Sequence, residues 1–179
     1  MRAGKYARIE RERRYHLMTL PVDLPAGAPY HLISDRYLTG TRLRLRQVTD
    51  VHGNIVARKL TQKELVANLE ADETVITNIY LNGAEFRQLV RLPGALLEKR
   101  RYEYVWEGRH YAVDQFLGPL TGLLLAEIED RFDGQSWPPA QPSFVWQDVT
   151  RDPLFRGGHL VHLTGTEFRR WQESWLASA

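Results

Sequence analysis

The sequence predicts a mainly β fold of the α+β class, a sandwich or a barrel with few helices. Three observations carry that expectation. Short segments of alternating apolar and polar residues recur about every ten residues, punctuated by Gly, Pro and Asn turns. Only two stretches join a capping box to helical spacing, one opening at Asn82 and one at Thr164. Most of the strand segments put charges on one face and apolar side chains on the other.

Taken in order, residues 8–17 (RIERERRYHL) form a first strand that runs into a Pro/Gly/Ala connection at 20–28. Residues 30–38 form a second. Residues 41–49 alternate Arg42, Arg44 and Arg46 with Leu43 and Leu45. They turn at His52-Gly53-Asn54, whose Gly and Asn tolerate positive φ, and return over 55–63 as a hairpin. The stretch 63–70 is a candidate short helix. Residues 73–81 (ETVITNIYL) are rich in β-branched residues and read as a strand. Asn82 with Glu85 opens a helix through Phe86, Leu89 and Val90 that Pro93-Gly94 stops. Residues 97–107 and 110–117 form a second hairpin about Gly108, and 122–129 a further strand. The Pro-rich stretch 136–142 precedes a strand at 144–149. Thr164 with Glu167 caps a C-terminal helix at about 165–177, with Phe168, Trp171 and Trp175 on one apolar face.

Composition bounds the possibilities. A chain of 179 residues fits one domain, 1–179. Cysteine is absent, which excludes disulfides, thiolate metal sites and a cysteine nucleophile. No apolar run is long enough for a membrane span, and residues 1–14 lack the apolar core of a secretory signal, so a cytoplasmic location is expected. None of the six histidines shows zinc spacing. The net charge of +2 conceals segregation. Residues 1–16 hold six Lys/Arg against two Glu, and 42–63 hold six against Asp50 alone. Residues 114–133 hold Asp114, Glu127, Glu129, Asp130 and Asp133 against Arg131. Such blocks suit a site holding both an anion and a metal ion.

Strand parity leaves two architectures. Glu10, Glu12 and Arg14 share a face; so do Arg42, Arg44 and Arg46; Lys59, Thr61 and Lys63; Lys99, Arg101 and Glu103; and Glu127 and Glu129. In a sandwich these faces are solvated. In a closed barrel with the charges inward they line a polar channel, the apolar faces turn outward, and the Phe168/Trp171/Trp175 helix is a suitable cover.

The motifs resemble those of the CYTH family, the triphosphate tunnel metalloenzymes. Glu10-Arg11-Glu12-Arg13-Arg14 is similar to the ExExK signature, with Arg14 at the usual Lys. Tyr37-Leu38 with Arg44-Leu45-Arg46 resembles the YL…RxR segment, and Thr61-Gln62-Lys63 a strand ending in Lys. Lys99-Arg100-Arg101-Tyr102, Val113-Asp114-Gln115-Phe116 and Leu125-Ala126-Glu127-Ile128-Glu129 resemble KxRY, VDxF and LAEIE. Residues 146–152 resemble a late (E/D)VTxD segment. The correspondence is collinear over about residues 8–160. The family's RxExE strand has no counterpart: residues 74–80 carry no charge, and Glu73 is the nearest carboxylate. The His-Phe element that precedes ExExK in class IV adenylyl cyclases is also missing.

The resemblance implies a closed antiparallel eight-stranded barrel with a charged tunnel and a few outer helices. It implies a Mg²⁺- or Mn²⁺-dependent hydrolase acting on the terminal phosphoryl of inorganic tripolyphosphate or an organic or nucleoside triphosphate. A class IV-like adenylyl cyclase and a non-catalytic triphosphate- or polyphosphate-binding module are the alternatives. Guanidinium and ammonium groups suit phosphate oxygens, so Arg14, Arg44, Arg46, Lys63, Lys99 and Arg101 are the substrate-binding candidates. Carboxylates suit hard cations, so Glu10, Glu12, Asp114, Glu127 and Glu129 are the metal-ligand candidates, with Asp148 a possible addition. Glu10, Glu12, Tyr37 and Lys63 are the catalytic candidates, although Tyr37 also reads as a core aromatic. The expected partner is a small-molecule triphosphate or polyphosphate. A stable nucleic-acid complex is not expected, because this many carboxylates repel a phosphate backbone. The chain is expected to be a monomer or a homodimer.

Overall fold

In a computed structural model the chain forms a closed antiparallel barrel, and the structure describes residues 5–64, 72–132 and 134–176. Nine strands follow in chain order: β1 Arg8–Leu17, β2 His31–Leu38, β3 Leu43–Thr49, β4 Ile55–Glu64, β5 Glu73–Tyr80, β6 Gly94–Trp106, β7 Arg109–Phe116, β8 Leu124–Glu129 and β9 Gln147–Asp148. The helices are α1 Gly83–Leu89, α2 Gly157–Leu160 and α3 Gly165–Leu176. The spatial order is β5-β4-β3-β2-β6-β7-β8-β1, and β1 pairs again with β5, which closes eight strands into a barrel and removes the sheet edges. On one edge β1 pairs with β8 over Glu12–Leu17. On the other it pairs with β5 over Arg8–Arg11 and then with the outer strand β9 at Tyr15 and His16.

Local chemistry sets the turns. Asp50 accepts hydrogen bonds from the backbone N–H of His52 (2.9 Å) and Asn54 (2.8 Å), fixing the β3–β4 hairpin. Glu107 (φ 49°) and Gly108 (φ 73°) both take positive φ in the β6–β7 turn, the backbone that matches the strand twist. Asn82 and Glu85 form a reciprocal capping box on α1. Thr164 and Glu167 do the same before α3, where Thr164 N–H donates to the Glu167 carboxylate at 2.8 Å.

Two apolar clusters divide the molecule. Tyr15, Leu17, Tyr102, Tyr104, Tyr111, Val113, Ala126 and Ile128 form the outward face of β1, β6, β7 and β8. Loops cover this face: Leu20, Leu24 and Tyr30 from the segment after β1, and Trp137, Phe144 and Val145 from the Pro-rich stretch. The second cluster brings inward-facing Leu97, Phe116 and Leu125 against Phe155, Leu160 and Phe168, with Trp171 and Trp175 alongside. The Phe168/Trp171/Trp175 face of α3 therefore plugs part of one barrel end and leaves the outer cover to loops. Its three bulky rings fill a space that the open strand ends leave, whereas the outer face is broad and shallow.

Two elements differ from the sequence expectation. The strand at 144–149 reduces to Gln147–Asp148, because Phe144 turns onto the outer core and meets the Tyr104, Trp106 and Tyr111 rings at 5.0–5.6 Å. The candidate helix 63–70 begins as strand: Lys63 and Glu64 pair with Ile76 and Val75. Its remaining residues lie outside the described residues, as does Ala177 at the end of the C-terminal helix.

Candidate functional site

The barrel interior is polar. A cavity of about 170 Å³ is lined by eight basic side chains and five carboxylates. The inward register supplies them in rows: Arg8, Glu10, Glu12 and Arg14 from β1; Asp35 and Tyr37 from β2; Arg44 and Arg46 from β3; Lys59 and Lys63 from β4; Lys99 and Arg101 from β6; Glu127 and Glu129 from β8. From β5 it receives only Ile76 and Asn78. A wider mouth of about 340 Å³ adjoins the cavity. Glu12, Arg14, Tyr37, Arg44, Lys63 and Gly157 line both, and the mouth adds Thr41, Arg42, Thr150, Arg156 and Gly158 among others.

On the wall formed by β6, β7, β8 and β1, the charges are tied to one another. Asp114 is fully buried. It accepts two hydrogen bonds from Arg101, at 2.7 and 2.6 Å, and one from Lys99. Glu127 accepts from Arg14 at 3.0 Å and from Arg101 at 2.5 Å. Burial works against the Glu127 charge, yet Lys99, Arg14 and Arg101 outweigh it and hold its carboxyl well below the usual carboxylate range. Burial pushes the Lys99 ammonium down despite Asp114. Arg14 is further fixed to the plug segment, its N–H donating to the Thr150 hydroxyl at 3.0 Å and its guanidinium to the Phe155 carbonyl at 3.4 Å.

The wall formed by β2, β3 and β4 has fewer anions. Asp35 accepts a bidentate pair from Arg46, both bonds at 2.6 Å, and Arg44 stands 3.5 Å from the same carboxylate. Burial opposes the Asp35 charge, but Arg44 and Arg46 hold the group far below its ordinary value. The Arg44 Nε is buried without a hydrogen-bond partner. Burial, reinforced by Arg46 and Arg44, lowers Lys59 to about 8.

Glu10, Glu12 and Glu129 form the acidic corner. Glu12 and Glu129 are direct cross-strand partners. Burial and the neighbouring Glu10 and Glu12 raise the Glu129 carboxyl. Like charges directly opposite one another are unfavourable unless a cation joins them. Glu10 accepts from Lys63, and Glu12 from Arg14 at 2.5 Å. Among the described residues no group of three His, Asp or Glu side chains is already gathered as a metal-binding cluster.

The sequence candidates thus converge on one space. Arg14, Arg44, Arg46, Lys63, Lys99, Arg101, Glu10, Glu12, Glu127, Glu129 and Tyr37 all line the tunnel, and Asp114 lies directly behind Lys99 and Arg101. Glu127 and Asp114 stand apart from the acidic corner, engaged by Arg14, Arg101 and Lys99. Asp148 is outside the barrel on β9, 3.2 Å from Arg13, because its parity on the outer strand turns it from the tunnel. Tyr37 also packs against the plug cluster, and its hydroxyl occupies the space beside Gly157, where a Cβ would come within 2.0 Å of it. The tunnel and mouth residues that were not among the candidates include Asp35, Lys59 and Arg156. Parity could have found the first two, since Asp35 shares a face with Tyr37, and Lys59 with Lys63. Arg156 comes from an irregular segment that gives no such signal.

No protein-family model matches the sequence. A 66-residue stretch is 36% identical to the inorganic triphosphatase of Acetivibrio thermocellus, a match that covers 37% of this chain and 41% of that relative. The chain therefore matches less than half the length of that protein. Two solved structures of NE1496, one described as a hypothetical protein and the other as an inorganic triphosphatase, share the fold. Their TM-scores are 0.55 and 0.53 at 21% and 20% identity, covering 87% and 85% of this chain and 99% and 93% of theirs. Among the described residues no helix is long and apolar enough to cross a membrane.

Proposed function

We propose that this chain is a triphosphate tunnel metalloenzyme of the CYTH type, a divalent-metal-dependent hydrolase that removes the terminal phosphoryl of a triphosphate. One observation carries the reading: eight basic side chains and five carboxylates from separate strands converge on a single cavity of about 170 Å³. A triphosphate carries about four negative charges near neutral pH, and the cation excess of the lining complements a compact polyanion. The sequence match to an inorganic triphosphatase and the fold shared with NE1496 support the same activity.

The residues divide the work by chemistry. Arg14, Arg44, Arg46, Lys63, Lys99 and Arg101 bind phosphate oxygens. Asp114 and Glu127 hold Arg101, Lys99 and Arg14 in place, so little reorganisation accompanies binding. Glu10, Glu12 and Glu129 offer hard oxygen donors in a corner where Glu129 is already burdened by its neighbours' charge, which fits Mg²⁺ or Mn²⁺. Such an ion supplies charge neutralisation at the phosphate oxygens. Water attacks the terminal phosphorus in line, and the bond to the bridging oxygen breaks, releasing orthophosphate and the shortened chain. Lys63 and Tyr37, both at the mouth, are placed to steady the leaving group. Among the described residues the mouth lining includes Arg42, Arg156, Thr41 and Thr150 and no aromatic besides Tyr37, which favours an inorganic over a nucleoside substrate.

The test is phosphate release from tripolyphosphate, ATP and thiamine triphosphate, with and without Mg²⁺ or Mn²⁺. Metal-dependent release, fastest from tripolyphosphate, is expected. Cyclic AMP and pyrophosphate from ATP would instead establish a cyclase. Binding without turnover of any substrate would establish a binding module.

A further inference from the structure

Among the described residues, Lys59 is a tunnel cation with no carboxylate within ion-pair distance. Lys59 faces inward from β4 and lines the cavity, directly across from Arg46. Arg46 is committed to Asp35 through both of its bonds. On the other flank Lys59 pairs with Tyr80 of β5, a strand that lends the tunnel only the neutral Ile76 and Asn78, and Asn78 is occupied by the Thr61 hydroxyl at 2.7 Å. Among the described residues no carboxylate lies within ion-pair distance of Lys59. The charged groups that face it are Arg44 and Arg46 from β3, Asp35 from β2 and Glu10 from β1. The Arg44 Nε is buried beside Asp35 at 3.5 Å, without a hydrogen bond. Two neighbouring cationic groups are therefore under-served at the same place, Arg44 sharing Asp35 with Arg46 and Lys59 having no carboxylate in reach.

We propose that Lys59 and Arg44 form an anion subsite for one phosphoryl group of the substrate, and that Lys59 takes up a proton as the anion enters. The identity of that anion as part of a triphosphate rests on the function proposed above. The physical basis is ordinary. A half-buried ammonium beside two guanidiniums is disfavoured, and burial with those neighbours brings Lys59 to about 8. A tetrahedral oxyanion between Lys59 and Arg44 supplies the missing acceptor and restores the ammonium. Affinity must then fall as pH rises through about 8, since above it the free protein has to gain a proton in order to bind.

Sulfate is a suitable probe, because its charge is constant across this range and no metal or turnover is required. Calorimetric titration of the metal-free protein is expected to show about tenfold weaker sulfate binding at about pH 9 than at about pH 7. At about pH 8, roughly half a proton is taken up per sulfate bound. Lys59→Met is expected to bind weakly at both pH values with no slope, and Lys59→Arg to bind tightly at both. Lys59→Met should also melt no lower than wild type below pH 8, since it removes a repelled charge, so misfolding does not confuse the result. Wild-type affinity and slope in Lys59→Met overturn the proposal, as does failure of the wild-type protein to bind sulfate. Tripolyphosphate hydrolysis by wild type, assayed in parallel, separates the two ideas. Lys59-dependent sulfate binding without hydrolysis defeats the enzymatic reading alone, and hydrolysis with Lys59-independent binding defeats the subsite alone.

Discussion

The two sides of the tunnel handle charge in opposite ways. On the side of β6, β7, β8 and β1, Asp114 and Glu127 meet Lys99, Arg101 and Arg14 almost group for group, and the aromatic plug closes the end. On the side of β2, β3 and β4, Asp35 is shared by Arg44 and Arg46, Lys59 has no ion pair among the described residues, β5 lends the cavity no charge, and the mouth opens beside it. The first side is a finished network whose cost of desolvation is met internally. The second holds cations without a matching carboxylate among the described residues. A binding site needs both: fixed groups that locate the anion, and under-satisfied groups that gain by its arrival.

The largest effect should come from breaking the finished side. Asp114→Asn leaves Lys99 and Arg101 buried with half their counter-charge, and a loss of about 3–5 kcal/mol in urea unfolding is expected. A loss below about 1 kcal/mol would mean that the network is not structural. Next is the plug. His16 is 2% exposed, packed against Trp146, Phe155 and Trp175 at 4.3–5.4 Å, and its Nδ1 has no partner. Burial lowers it to about 4, below its ordinary 6.5. The unfolded chain therefore takes the proton first. Stability falls as pH drops from about 6.5 to 4, by up to about 3 kcal/mol, and loses no more from this group below that. His16→Leu should remove that share of the acid slope in denaturation curves, and an identical slope in both proteins would exclude His16 as the cause.

The open side should respond in function and hardly in stability. Arg44→Met is expected to lower kcat/KM for tripolyphosphate about 100-fold, a loss of about 2–3 kcal/mol of charge-assisted bonding. Its unfolding free energy should move by less than about 1 kcal/mol, because Asp35 keeps Arg46. The opposite split would reverse the roles of the two sides. The smallest effect belongs to the acidic corner. Mn²⁺ in excess should raise Tm by a few degrees, about 2–4 °C. Glu12→Gln and Glu129→Gln should abolish that shift, and its survival in both variants would place the ion elsewhere.

Much of this was legible in the chain before it was folded. Period-two alternation identified β1 to its ends, and the parity of Glu10, Glu12 and Arg14 matched that of Arg44 and Arg46 on the hairpin. The capping boxes at Asn82 and Thr164 located both longer helices, since each is a bond pattern among residues three apart. Asp35 and Lys59 shared faces with recognised residues and could have been drawn from the same parity. Arg156, the reduction of the 144–149 strand and the loop cover over Tyr104 and Tyr111 had no local signal, because each depends on what an irregular segment meets after closure.

The sequence by itself determined which side chains share a face, because alternation is a property of the strand backbone alone. Tertiary structure decided which face became the interior, by pairing β1 with β5 and closing the sheet. It also decided how the charges divide between partners and vacancy. Glu127 and Glu129 are equivalent in sequence, two residues apart on one strand. Burial raises both carboxyls; the neighbours that the barrel brings up, Lys99, Arg14 and Arg101, overturn it at the first, whereas Glu10 and Glu12 add to it at the second. Coulomb interactions depend on distance through space, and those distances exist only in the closed fold.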